Sequence, residues 1–289
     1  MSALLHRQRV SQVSAESNYL HGTANEDLSF MPLFKIIRIL ILFSVFIGLA
    51  FYAQQQKLKS RSWTEPLQLV IYPINADNDH PAVNDYIHDL DDSVFASIDG
   101  FFAEQSLDYN LITRQPTSTK LGPVVTVQPP PAPLPSAGYA AIIWWGIKFR
   151  YWVYQNTPDS DSNIRRIRVF VQYHAAGKGK RLQHSLGLDK GLVALVQAFA
   201  AIEQDQQNNI VIAHEVLHTV GASDKYAPDN SPLFPVGYAD PNQSPLYPQK
   251  RAEIMAGRIP LSENRMRMPD SLAECMIGEA TALEINWLR

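Results

Sequence analysis

The stretch Ile210–Tyr226 reads IVIAHEVLHTVGASDKY and holds a His-Glu-x-x-His pattern from His214 to His218. On an α-helix, residues four apart differ by about 40° around the axis. Both imidazoles then project from one face and can ligate one ion, with Glu215 beside them as a base for a water molecule there. Val211, Ile212, Ala213, Val216, Leu217 and Val220 are apolar, as in a helix buried under a sheet. Gly221 supplies the permissive residue at which such a helix ends. The chain can then swing Asp224 back as a third ligand. A bare His-Glu-x-x-His occurs by chance in ordinary helices, where both imidazoles face solvent. The glycine three residues after His218, the acid three beyond it and the apolar context make a longer and rarer pattern.

Upstream, Ile39–Ala53 (ILILFSVFIGLAFYA) carries no charge, and with Ile36 and Ile37 the apolar stretch 36–53 reaches 18 residues, broken only by Arg38. That length suits a transmembrane helix, and the run is apolar on all faces rather than on one stripe. A cleaved signal peptide is the competing reading. The long segment before the span and the bulky Phe51 at the −3 position of a cleavage after Ala53 favour an uncleaved anchor. Lys35 and Arg38 abut the span and put the N-terminus inside. The expected organisation is a cytoplasmic tail (1–35), the span (36–53), a polar tether (54–64) and one domain (65–289).

The whole chain has 289 residues and a formal net charge of −3. Residues 1–61 contain 7 basic and 3 acidic side chains, a balance of +4, so the remainder carries −3 − 4 = −7. A mildly acidic domain on a basic anchor has no field for nucleic acid. The single cysteine, Cys275, excludes an intrachain disulfide and a cysteine-rich metal site. It is expected to face the core.

Leu67–Ile74 and Ile164–Tyr173 read as strands, and Ala82–Gln105 as one long amphipathic helix with Asp85, Asp89, Asp91 and Asp92 on its wet face. Gly122–Gly138 is proline-rich, and residues 129–135 form an extended segment on which a partner can dock. Ile142–Tyr154 (IIWWGIKFRYWVY) is an aromatic helix, suited to a core or to a membrane interface.

HEVLHTVGASD resembles the metzincin metallopeptidase motif, in the snapalysin-like form with Asp at the last ligand position. The resemblance covers about residues 210–257. It implies an α+β fold: a mixed sheet with a backing helix, the active-site helix, and a C-terminal helix, here preceded by one transmembrane helix. It implies zinc (Zn2+) on His214, His218 and Asp224, with Glu215 as the catalytic base. Metzincins also place a methionine in a tight turn beneath the ligands, and Met255, 31 residues after Asp224, fits that turn. No Tyr stands two positions after Met255, so Tyr226 is the nearest substitute for a residue that stabilises the transition state, with Tyr238 and Tyr247 as others. Glu274 or Glu279, as in gluzincin-like enzymes, and Asp229 or Asp240 are the other third-ligand candidates.

An edge strand lining the cleft is expected at Gly191–Phe199, and a C-terminal helix capped by Ser271 and Glu274 is expected to run through Met276, Ala280, Leu283 and Trp287. The 30 residues between Asp224 and Met255 hold six prolines and should form a fixed loop over the cleft. The reading is a membrane-anchored zinc endopeptidase acting on peptide or protein substrates. It is expected in a bacterial inner membrane, with the domain in the periplasm. The alternative is a non-catalytic membrane-tethered envelope scaffold, with a structural zinc or no metal.

Overall fold

The computed structural model describes residues 33–134, 136–157, 166–177, 182, 185–188 and 192–288. The tail before Leu33, and Pro135, Ile164 and Gly191 of the expected segments, lie outside the described residues. The chain forms two units, residues 1–48 and 49–289.

Helix α1 (Leu33–Ser60) contains a 19-residue segment, Leu33–Phe51, long and apolar enough to cross a bilayer. The large apolar side chains of its described residues are exposed. The helix continues over residues 54–60, read from sequence as tether. In the second unit Ser60 and Trp63 are buried, and the Trp63 indole donates to the Ile285 carbonyl at 2.6 Å.

The second unit is built on strand β1 (Leu67–Asn75), helices α2 (Pro81–His88) and α3 (Ala96–Asp108), strand β2 (Thr117–Leu121), helix α4 (Tyr139–Asn156), strands β3 (Arg166–Ala175), β4 (Leu186–Leu188) and β5 (Val193–Ala200), and helix α5 (Asp205–Thr219). The sheet order is β2-β1-β3-β5-β4, with β4 the one antiparallel strand. The connection β1 to β2 moves one way across the sheet, and β2 to β3 moves the other way. Crossovers between parallel strands are right-handed, so α2 and α3 must cover one face and α4 the other.

Packing follows this rule. Leu67, Leu69, Ile71, Ile167, Val169 and Val171 pack with α2, α3 and α5, whereas Tyr72, Ile74, Phe170, Val193 and Leu195 pack with Phe149, Trp152 and Val153 of α4. A sheet covered on both faces produces the continuous apolar runs seen in the sequence.

Beyond α5 a largely irregular segment leads to β6 (Ala252–Glu253), the β7/β8 hairpin (Ile259–Ser262, Arg265–Arg267), β9 (Cys275–Met276) and helix α6 (Glu279–Glu284). β6 and β9 pair in parallel. The architecture is mixed α+β with a five-stranded mixed sheet.

Three expectations are corrected. The helix expected over Ala82–Gln105 is two helices, because Asp91 turns extended and accepts the Ser93 N–H at 2.8 Å, opening a 3-10 turn at Asp92–Phe95. The apolar spacing ran through this break because Val83, Ile87, Ile98 and Phe102 all face the same cluster. The edge strand is β4, and the strand expected to line the cleft is β5, held between β3 and β4. The C-terminal helix is short and begins at Glu279. The capping box fails because Arg267 takes both Glu274 oxygens, at 2.9 and 2.6 Å, and Ser271 makes no side-chain cap bond. Cys275 is buried as expected, but on β9.

Candidate metal centre

Helix α5 holds His214 and His218 one turn apart on the face beneath β4. His214, Glu215 and His218 form a cluster whose donor atoms lie within 4.8 Å of one another, a group that could hold a metal ion. Helix α5 stops where expected: Gly221 has φ +102°, and the Ala222 N–H returns to the Leu217 carbonyl at 3.0 Å. A residue with a Cβ there would be strained and would strike the Arg61 guanidinium. The turn brings Asp224 Oδ1 to 3.3 Å from His214 Nε2 and 3.2 Å from His218 Nε2, while the two Nε2 atoms are 3.1 Å apart.

This triangle has the size of a tetrahedral site. With bonds of about 2.0–2.1 Å, ligand atoms on a tetrahedral ion stand about 3.3–3.4 Å apart. The imidazoles are also oriented for an ion. His214 Nδ1 lies 2.9 Å from the Ile254 carbonyl and His218 Nδ1 lies 2.8 Å from the Ala222 carbonyl. A carbonyl only accepts, so each Nδ1 carries the proton and each neutral ring turns its Nε2 lone pair inward. Two lone pairs and a carboxylate oxygen this close repel one another unless a cation lies among them. Without an ion, protonation of the imidazoles is what relieves this repulsion: burial works against a charged His218, yet Asp224 and the Ala222 carbonyl raise its pKa. Burial also opposes ionisation of Asp224, yet the two imidazoles beside it hold its carboxyl well below the usual range.

Glu215 is outside the triangle and differently placed. It is 5% exposed, and its Oε2 has no hydrogen-bond partner. Burial pushes its carboxyl up, against the pull of His214 and His218. A buried carboxylate oxygen left without a partner is costly.

Gly187 of β4 packs directly on this turn of α5. A Cβ there would lie 2.5 Å from both the Glu215 carbonyl oxygen and His218 Cβ. The edge strand comes this close only because residue 187 has no side chain.

Residues far along the chain fix the third corner. Glu284 of α6 accepts from Ser223 N–H at 2.8 Å, Ser223 Oγ at 2.7 Å and Lys225 Nζ at 2.7 Å, gripping both neighbours of Asp224. The Lys225 N–H donates to the Met255 carbonyl at 3.0 Å. Met255 is fully buried in the turn Glu253–Gly257, closed by the Ala256 and Gly257 N–H groups on the Glu253 carbonyl. The preceding carbonyl, that of Ile254, is the one that orients His214. Glu253 ties this turn to α6 by accepting from the Gly278 N–H at 3.2 Å and the Thr281 hydroxyl at 2.7 Å.

Tyr226 lies beside Asp224: burial together with the Asp224 charge pushes its pKa up to about 12. Tyr238 and Tyr247 bond each other, hydroxyl to hydroxyl, at 2.9 Å. The other third-ligand candidates are engaged elsewhere or far from any contact with the imidazoles: Glu274 on Arg267, Asp229 on Ser231, Asp240 on the Asn242 N–H. Nothing ties Glu279 to either imidazole among the described residues. In the proline-rich loop, where N–H donors are scarce, the Gln243 amide collects the Pro245, Leu246 and Pro248 carbonyls, and the Gln249 amide collects those of Asp240 and Leu246. The sequence reading did not identify Gly187, Glu253, Lys225 or Glu284.

No protein-family model matches this chain, and no curated protein matches it.

Proposed function

We propose that the chain is a membrane-anchored zinc-dependent endopeptidase of metzincin type. His214, His218 and Asp224 hold the metal, and Glu215 is the general base. The observation that carries this reading is the triangle of donor atoms at 3.1–3.3 Å beside a buried carboxylate with an unpartnered oxygen. A purely structural metal needs no such neighbour.

When bound, zinc polarises the scissile carbonyl and brings the pKa of a water toward about 7. The protein's own groups do the rest. Glu215 accepts a proton from the attacking water and passes it to the leaving amine. Tyr226 flanks Asp224, and its raised pKa keeps the hydroxyl protonated at neutral pH. Strand β4, at the end of the described sheet, offers main-chain groups to which an extended peptide can add as a further strand, and Gly187 keeps that strand tight against Glu215 and His218. Leu33–Phe51 serves as an uncleaved anchor, with the domain on the periplasmic side of a bacterial inner membrane. Residues 129–134 of the proline-rich segment remain open to a docking partner.

The test is hydrolysis of a broad peptide library by the full chain in detergent or vesicles, loaded with zinc. Wild type should cleave, a chelator should stop it, zinc should restore it, and Glu215→Gln should retain zinc without turnover. Zinc-loaded wild type that cleaves nothing the Glu215→Gln variant leaves intact turns the reading to a tethered scaffold with a structural metal.

A further inference from the structure

Helix α4 is apolar on two opposite faces. Phe149, Trp152 and Val153 are buried on the sheet, with the Trp152 and Phe170 rings 4.7 Å apart. The opposite face is apolar as well. Ile143, Trp144, Ile147, Tyr151 and Tyr154 are all exposed, Trp144 at 58% and Tyr154 at 74%. At 100° per residue these five fall within an arc of about 100°, so they form one continuous stripe. Single exposed apolar residues are ordinary on a protein surface, but a continuous stripe marks an interaction face.

We propose that this stripe is a second membrane contact, lying in the headgroup layer of a bilayer with α4 parallel to its surface. Three observations select lipid as the occupant. First, the same chain carries the apolar segment Leu33–Phe51, and residues 52–66 alone separate it from β1. Residues 52–60 are helical, so the link reaches about 35 Å at most and keeps the domain beside a lipid surface. Second, isoleucines bordered by Trp and Tyr are the composition of interfacial helices, whose rings sit at headgroup level. Third, α4 contains no acidic residue, while Lys148 and Arg150 flank the stripe, in a domain that is otherwise net acidic. Lys148 Nζ sits 5.5 Å from the centre of the Trp144 ring, so cation and aromatic present together, as anionic headgroups require. The effect would be to fix the orientation of the sheet on the bilayer, with α4 toward the lipid and α5 on the face turned away from it. The proposal rests on α1 being an uncleaved anchor.

The experiment uses the full chain in vesicles of phosphatidylcholine and phosphatidylglycerol. A nitroxide is attached at Ile147→Cys, and in a separate variant at Ile202→Cys, a position 78% exposed in the turn before α5. Cys275 is buried, with its thiol pushed up to about 12, so the introduced thiol takes the label. Collision with oxygen, which concentrates in lipid, is compared with collision with a water-soluble nickel chelate. The oxygen-to-nickel ratio at 147 should exceed that at 202 severalfold, and a label at Tyr154→Cys should behave like 147. Equal, water-like ratios at 147 and 202 overturn the proposal. Shielding of 147 from both agents, varying with the protein-to-lipid ratio, also overturns it and makes the stripe a contact between copies of the chain. Vesicle flotation is scored beside this: a chain that does not float removes the anchor itself, whereas flotation with a water-exposed 147 removes the α4 contact alone.

Discussion

Helices α4 and α5 cover opposite faces of one sheet, and each departs from the usual pattern of apolar inside and polar outside. α5 buries Asn208, Asn209, Glu215 and Thr219. Most of that polarity is structural: the Asn208 amide brackets the Phe199 peptide, and the Thr219 hydroxyl bonds the Val216 carbonyl. Of the buried side-chain atoms on this helix, Glu215 Oε2 and Asn209 Oδ1 lack a partner among the described residues, and of the two only Glu215 stands beside the imidazoles. α4 has the reverse fault, apolar groups left in water. Departures from local rules concentrate where function demands them. Here one helix carries the candidate metal cluster, and the other an exposed apolar stripe.

Replacing residues on each helix sharpens the contrast. The largest effect is expected for Glu215→Gln, which should lower turnover by about 10²–10⁴-fold, the usual weight of a general base, while metal content measured by atomic absorption stays unchanged. Next is Phe149→Ala on the buried face of α4, expected to cost about 3–5 kcal/mol in urea unfolding as for other buried aromatics. Glu284→Ala leaves Lys225, which is nearly buried, without its carboxylate. It should cost on the order of 1–3 kcal/mol and weaken zinc binding by about 10–100-fold, read by competition with a chromogenic chelator.

The same clamp gives a pH signature. Burial opposes the Glu284 charge, but Lys225 and Ser223 outweigh it and hold the folded pKa below the ordinary value. The contribution is therefore complete above the unfolded carboxylate pKa, about 4.3, and lost as pH falls through the depressed folded value. In chelator, the gap in urea midpoint between wild type and Glu284→Gln should be widest above about pH 5 and should close in more acid solution. The smallest effect is expected for Ile147→Ser on the outer stripe of α4: about 0.5 kcal/mol or less in stability, against the several kcal/mol at Phe149 two residues away.

What the sequence revealed, and what it hid, follows from the range of the interactions. His214, Glu215 and His218 are legible because helical spacing alone puts them together. Asp224 is legible because Gly221 announces the turn that returns it. Glu284 is hidden: it meets Ser223 across 61 residues, and nothing in either local sequence names the other. Gly187 is hidden for a different reason, since its value is a 2.5 Å approach that exists only after β4 docks on α5. The break at Asp91 had a signal, an acid two residues before a serine, but the apolar period continued across it and masked it. Conversely, Ser271 and Glu274 looked like a cap until Arg267, brought in by the β7/β8 hairpin, took the carboxylate.

The central claim is that three side chains, two from α5 and one from the turn after it, make one metal site. It is tested most directly by the zinc content of the purified full chain, wild type beside Asp224→Ala, with folding of both checked by circular dichroism. The account predicts about one zinc per wild-type chain, the stoichiometry of a single tetrahedral site, and its loss or sharp weakening in the variant. Folded wild type that takes up no zinc, or an Asp224→Ala variant that binds it as tightly as wild type, would contradict the account.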